Sequence, residues 1–202
     1  MTRTVPDTKL EQSGVGYWIG MYLSPEGSTA VDVVRDRMAA ALPADLLWRT
    51  PSDVLHSTLF EVAMLYRDYD NDKDAWFNEN KERITSTLRE ILAPVKPVQV
   101  RFNEIEVSQS AVIIKGTDDG TFERIRKQVG YAGIIMPGSR TPPDIIHSSI
   151  FRYLHQYDLY AVEQAAKDLT IDFTMTVREF CLERISIVPI GGIERVYTFK
   201  LQ

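Results

Sequence analysis

The sequence predicts an α+β fold of two pseudo-symmetric lobes, each an antiparallel or mixed β-sheet backed by helices, with a central cleft between them. Three observations carry this reading. Residues 49–60 (RTPSDVLHSTLF) recur as residues 140–151 (RTPPDIIHSSIF), with seven of twelve positions identical. Strand-like and helix-like patterns follow in a similar order in each half, which suits layered packing about one core. No low-complexity stretch or linker separates the halves. Residues 1–13 are expected as a flexible N-terminal arm and residues 14–202 as one bilobal domain.

Gly14 to Leu23 (GVGYWIGMYL) is aromatic and apolar and predicts a buried strand, ended by Pro25 and Gly27. Ser28 or Thr29 then caps a helix to about Leu42, with Val31, Val34 and Met38 on one face. Pro43 closes it, and the first repeat follows with Thr-Pro-Ser-Asp as turn chemistry. Tyr66 to Asp74 (YRDYDNDKD) is a polar loop, and without a central Gly it fails the pattern of a calcium-binding EF-hand. A helix is predicted over Asp74 to Leu92, with Trp76, Phe77, Ile84, Leu88 and Ile91 as core positions and Pro94 as its stop. Val98–Val107 and Ala111–Lys115 predict two strands joined at Ser-Gln-Ser, and Thr121–Tyr131 a short helix. The second repeat comes next, then a helix over Leu159–Leu169. One or two strands follow within Phe173–Pro189, and a last strand over Arg195–Leu201 enters through Gly191-Gly192.

A chain of 202 residues with 44% apolar side chains can bury a sizeable core. Its formal net charge of −5 argues against a protein that grips long nucleic acid through phosphates, but leaves a small nucleotide or an RNA end in a local pocket open. The single cysteine, Cys181, rules out an internal disulfide and any site of several thiolates, and its alternating surroundings predict a buried structural thiol. No segment has the length and apolarity of a membrane span or of a signal-peptide core, so a cytoplasmic protein is the default expectation, with a monomer favoured.

The repeat carries the chemistry. Side chains two apart on a strand share a face, so His56, Thr58 and Phe60 align in the first copy, and His147, Ser149, Phe151 and Tyr153 in the second. The opposite faces are mostly aliphatic, which turns the two histidine–hydroxyl faces toward a cleft. An imidazole gives or takes a proton near neutrality, so two of them across one phosphorus can serve as acid and base in an in-line displacement. The hydroxyls of Thr58 and Ser149 can donate to the non-bridging oxygens as charge develops. No metal or other cofactor is required.

His56-Ser57-Thr58-Leu59 and His147-Ser148-Ser149-Ile150, 91 residues apart, resemble the paired H-x-[ST]-hydrophobic motifs of the 2H phosphoesterases. That superfamily includes RNA 2′-5′ ligase-like proteins and cyclic phosphodiesterases. The resemblance implies that His56 and His147 are the catalytic pair and Thr58 and Ser149 the phosphate-binding hydroxyls. It implies opening of a 2′,3′-cyclic phosphate by water, or cleavage of a 2′-5′ linkage, in a small nucleotide or oligonucleotide.

Plainer roles stand beside these. The histidines can be core residues satisfied by backbone, or metal ligands, although no carboxylate or cysteine has supporting spacing. Ser57 and Ser148 should pack away from the site, and Asp53 and Asp144 suit turns better than histidine orientation. Arg49 and Arg140 can reach a phosphate or pin the turn, with nothing to choose between them. Among the aromatics, Phe151 and Tyr153 are expected to stack on a base ahead of Tyr17, Trp18, Tyr22 and Phe60. His155 reads as an exposed loop residue. A binding module that uses the cleft without turnover is the alternative function, and a ligase of RNA ends would be expected to need a more basic surface.

Overall fold

The computed structural model describes residues 2–139 and 144–202. The chain runs β1 (Ser13–Tyr22), α1 (Pro25–Ala40), β2 (Leu47–Arg49), β3 (His56–Ala63), α2 (Lys73–Leu92), β4 (Val98–Val107) and β5 (Ala111–Thr117). It continues through α3 (Thr121–Ala132), β6 (Ile146–Tyr153), α4 (Leu159–Ala166), β7 (Phe173–Val177), β8 (Glu179–Ile187) and β9 (Glu194–Lys200). The strands form a four-stranded sheet, ordered β3-β1-β8-β9, and a five-stranded sheet, ordered β2-β6-β5-β4-β7. Every strand pairing is antiparallel, so the mixed alternative falls away. The two repeat strands, β3 and β6, lie one in each sheet and pack against each other.

Local chemistry explains most boundaries. Helix α1 starts earlier than expected because Ser24 is its cap, its side chain accepting from the Gly27 N–H at 3.1 Å. Pro25 then begins the helix, where its missing N–H costs nothing, directly after β1 has ended at Tyr22. Gly27 is needed by α1 for contact, since a Cβ there would lie 2.6 Å from Phe173 Cε2 on β7. Asp72 caps α2 by accepting from Ala75 N–H at 2.8 Å. Strand β2, at three residues, is too short to show a period and was not expected.

The helices cross between the halves. Helix α1 packs against β6 and β7, whereas α3 packs against β3 and α2. Each half therefore lends its helix to the other half's sheet, and one apolar core runs through both, from Ile19 and Phe60 to Ile114 and Phe151. The repeat also reaches further back than the twelve residues. Val31, Val34, Arg35 and Met38 of α1 stand 91 positions before Phe122, Ile125, Arg126 and Val129 of α3, and all eight are buried.

The N-terminal segment is laid against the body and does not hang loose. Thr4 N–H donates to Tyr157 O at 3.0 Å, Val5 N–H to Gln109 O at 2.6 Å, Asp7 N–H to Tyr153 O at 2.9 Å and Glu11 N–H to Val188 O at 2.8 Å. The Thr4 hydroxyl donates to His155 O at 3.0 Å and is buried with its residue. A polar sequence is expected to stay solvated, but here backbone carbonyls at the end of β6, in the β4–β5 turn, in the loop before α4 and just after β8 accept its hydrogen bonds.

Candidate active site

Strict alternation along a strand holds only while the pairing is regular, and both repeat strands carry a β-bulge just after the hydroxyl residue. On β3 the register passes from Gly20↔Thr58 to Ile19↔Phe60, leaving Leu59 as the extra residue. On β6 it passes from Ile113↔Ser149 to Val112↔Phe151, leaving Ile150 extra. A bulge shifts every later side chain to the other face. The cleft faces are therefore His56, Thr58 and Glu61 on β3, and His147, Ser149 and Arg152 on β6. Glu61 and Arg152 occupy equivalent places in the repeat, 91 positions apart.

Bulges free backbone carbonyls, which must find donors. In β3 the buried Arg126 of α3 supplies them, its Nε donating to Leu59 O at 2.8 Å and its Nη2 to Thr58 O at 3.2 Å. In β6 Thr50 supplies them, its hydroxyl donating to Ser149 O at 2.9 Å and its N–H to Ile150 O at 3.3 Å. The same Arg126 Nη2 also donates to Ile145 O at 2.9 Å, so one guanidinium ties the two motif strands together.

Both histidines and both hydroxyls line a single cleft of about 900 Å³. Its wall is completed by Met64, Leu65, Tyr66 and Arg67 from the loop after β3 and by Pro189 and Ile190. His56 Nδ1 donates to Val54 O at 2.9 Å, and since a carbonyl can only accept, the proton is on Nδ1 and the Nε2 lone pair is left for chemistry. The Trp18 ring lies 4.5 Å from the His56 ring, centroid to centroid. Arg152 is held from behind: its Nη1 is 3.5 Å from Asp7 Oδ2 and its guanidinium lies 5.5 Å from the centre of the Tyr66 ring. The Tyr66 hydroxyl donates to the same Asp7 oxygen at 2.6 Å.

Burial holds the His56 imidazole down to about 4, and the nearby His147 and Arg152 charges push the same way against the Val54 carbonyl. His147 is also held below the ordinary imidazole value, first by burial and then by Arg126 and Arg152, with Glu106 and the Ile145 carbonyl opposing. Both rings are thus neutral at pH 7 in the free protein, and an anionic phosphate between them favours their protonation.

The structure brings together His56, His147, Thr58 and Ser149. It does not bring Phe151 or Tyr153 to the cleft. They are 1% and 0% exposed, Tyr153 donates its hydroxyl to Ser108 O at 2.9 Å, and the Ile150 bulge is the reason both turn inward. Phe60 is buried for the same reason beyond Leu59. Tyr17 stacks on Phe77 in the core and Tyr22 donates to Glu183, which leaves Trp18 and Tyr66 as the aromatics beside the chemistry. Ser57 and Ser148 are buried behind the site, and Asp53 and Asp144 are exposed. Arg49 pins the turn, pairing with Asp32 at 2.7 Å and Asp36 at 2.5 Å, while Arg140 lies outside the described residues. His155 is exposed beside Asp45, and Cys181 is buried with its thiol pushed up to about 11. Arg152, Glu61 and Arg126 were missed. A search for the repeat beyond its twelve residues would have found Arg35 and Arg126, each 21 positions before its histidine.

A sequence profile of the 2′-5′ RNA ligase superfamily matches residues 70–186, and no curated protein sequence matches the chain. The fold is shared with TT0787 of Thermus thermophilus, at 16% identity and a TM-score of 0.65 over 92% of this chain and 97% of that one. It is also shared with E. coli LigT in its apo form, at 12% identity and 0.60 over 95% and 99%. LigT complexed with 3′-AMP gives 13% identity and 0.59 over the same shares, 95% and 99%. The fold is that of the 2H phosphoesterases. The chain belongs to the 2′-5′ RNA ligase superfamily, and this membership supports phosphoesterase-type chemistry.

Proposed function

We propose that this protein is a metal-independent phosphodiesterase that cleaves a small nucleotide or oligonucleotide phosphodiester, either a 2′,3′-cyclic phosphate or a 2′-5′ linkage. The observation that carries the proposal is the convergence of His56, Thr58, His147 and Ser149 on one cleft from two strands in different sheets. In the first reaction one imidazole takes a proton from water as its oxygen attacks phosphorus, and the other protonates the departing ribose oxygen. In the second the attacking group is the neighbouring ribose 3′-hydroxyl, and the product is a cyclic phosphate. Thr58 and Ser149 donate to the non-bridging oxygens, where charge builds in the transition state. Arg152 adds a fixed positive charge on the His147 face, suited to a phosphate oxygen. Support for a small nucleotide comes from E. coli LigT, which shares the fold and whose structures include complexes with 3′-AMP, ATP, NADP+ and phosphate.

The test is a product assay with EDTA present, comparing wild type with His147→Ala. The substrates are 2′,3′-cyclic nucleotides, 3′,5′-cyclic nucleotides, and 2′-5′ and 3′-5′ oligoadenylates. Cleavage of a 2′,3′-cyclic or 2′-5′ substrate that is lost in the variant is the expected result. Strong inhibition by EDTA, or turnover unchanged in His147→Ala, overturns the scheme.

A further inference from the structure

The loop after β3 carries an arginine that neither the sheets nor the acid–base pair uses. Arg67 is exposed, and no hydrogen bond or ion pair engages its guanidinium among the described residues. Its contacts are the Tyr69 ring, 5.7 Å away centre to centre, and the backbone of Gly138, where a Cβ would lie 3.6 Å from its Nη2. This side chain stands where two cavities meet. It lines the catalytic cleft and also a second cavity of about 310 Å³. Beyond the shared Arg67 and Asp68, the second cavity is walled by Tyr69, Asp70 and Asn71 from the loop and by Met136, Pro137 and Gly138 after α3.

The two walls are bonded to each other. Met136 N–H donates to Val62 O at 2.7 Å, and the Tyr69 hydroxyl shares a hydrogen bond with Ser139 Oγ at 2.6 Å while accepting from Met64 N–H at 3.0 Å. Gly138 sits at φ +88°, a conformation that glycine adopts without steric cost. The cavity is thus formed before any ligand enters, and its size lies at the lower end of small-molecule sites, roughly 300–1,000 Å³.

Charge sorts what can occupy it. Asp68 and Asp70 would repel an anion seated inside, and the nearby Lys73 ammonium is already held by the Val15 and Leu65 carbonyls. A neutral group that carries hydrogen-bond donors and an aromatic face suits this lining, with carboxylate and amide acceptors for its N–H and O–H groups and the Tyr69 ring beside it. A nucleoside is such a group. An anion belongs at the threshold, on the unpaired guanidinium. We propose that the second cavity is a nucleoside subsite, and that Arg67 holds the phosphodiester joining this nucleoside to the nucleotide that reacts between His56 and His147. The inference rests on the phosphodiesterase reading and narrows its substrate to an oligonucleotide end of at least two nucleosides.

Steady-state kinetics on three substrates tests it. These are adenosine 2′,3′-cyclic phosphate, the same compound with a 5′-phosphate, and the dinucleotide ApA ending in a 2′,3′-cyclic phosphate. Wild-type kcat/KM should be about tenfold or more higher on the dinucleotide than on either mononucleotide, the size expected for a charge-assisted hydrogen bond and a seated base. Arg67→Gln should cut that advantage to less than about threefold, and so should Asn71→Trp, which fills the cavity from a position outside the cleft. Both positions are exposed, so the fold tolerates both changes, and thermal melts verify it. Equal turnover of all three substrates, or variants that keep the advantage of the dinucleotide, overturns the subsite and leaves the phosphodiesterase reading intact. An equal gain from the 5′-phosphate alone also overturns it, since the arginine then reads charge and the cavity takes no nucleoside. Inactivity on these substrates and on 2′-5′ oligoadenylates removes the phosphodiesterase reading instead. Calorimetric titration with ApA bearing a 3′-phosphate, against 3′-AMP, then decides the subsite without turnover. A preference for the dinucleotide of about tenfold that disappears in Arg67→Gln supports it, and equal affinities in the wild type overturn it.

Discussion

An imidazole with one nitrogen tied to a carbonyl has one nitrogen left for chemistry, and at His56 that nitrogen stays unprotonated well below pH 6.5. The limb of kcat/KM set by His56 should therefore lie nearer 4 than the ordinary imidazole value. The limb set by His147 should also fall below 6.5, since burial and two arginines depress that ring. The kcat profile should move upward relative to it, because bound phosphate stabilises both imidazolium ions. A steady-state pH series on a 2′,3′-cyclic nucleotide checks this, and a kcat/KM optimum above 7.5 contradicts it. The same depressed ring has a consequence for stability. A histidine of lowered pKa binds more protons unfolded than folded as pH drops below 6.5, so stability is present above 6.5 and is lost as pH falls toward about 4. Denaturant melts of wild type and His56→Gln between pH 7 and 4 should show a shallower loss in the variant. Arg152→Ala should raise KM by about tenfold or more, the size expected for losing a charge-assisted hydrogen bond. The two histidines and two hydroxyls were legible as a repeated tetrapeptide. Arg152 was not, because period-two reading assigns it to the wrong face of β6.

At the scale of elements, the bulges at Leu59 and Ile150 decide which residues meet the substrate, and the structure around them is tight. Gly20, paired with Thr58, has no room for a side chain, since a Cβ would lie 2.2 Å from Trp18 Cζ3 and 2.3 Å from Ser57 O. A backbone atom cannot swing away as a flexible side chain can. Gly20→Ala should cost about 1–3 kcal/mol, as overpacking does, and should displace the Trp18 ring from His56. Thermal melts measure the first effect and intrinsic fluorescence the second. An unchanged melting temperature would mean the strand yields without strain. The strands and helices themselves were legible from periodicity, apart from β2. Bulges leave no such mark, because Leu59-Phe60 and Ile150-Phe151 look like any buried apolar pair. The exchange of α1 and α3 between the sheets was likewise hidden, since an apolar helix face does not name the sheet it covers.

Across the whole molecule, the cleft depends on a segment that contributes nothing to either sheet's interior. Asp7 is bound by its own N–H to Tyr153 O, and its carboxylate takes the Tyr66 hydroxyl at 2.6 Å and faces Arg152 at 3.5 Å. Its side chain is only 9% exposed, so both donors lose a partly buried acceptor if it is removed. Residues 2–12 thereby link the end of β6 and the β4–β5 turn to the loop wall after β3 and to the arginine of the second motif. Asp7→Ala should lower stability by about 1–3 kcal/mol, the cost of stranding buried hydrogen-bonding groups, and should raise KM more than it lowers kcat, because Arg152 is positioned for binding and moves no proton. Asp7→Asn, which keeps an acceptor for Tyr66 but removes the charge, should recover most of the stability and little of the KM. Denaturant melts and steady-state kinetics on the same preparations separate the two effects. Equal KM for wild type and Asp7→Ala would mean that the N-terminal segment braces the fold without reaching the chemistry.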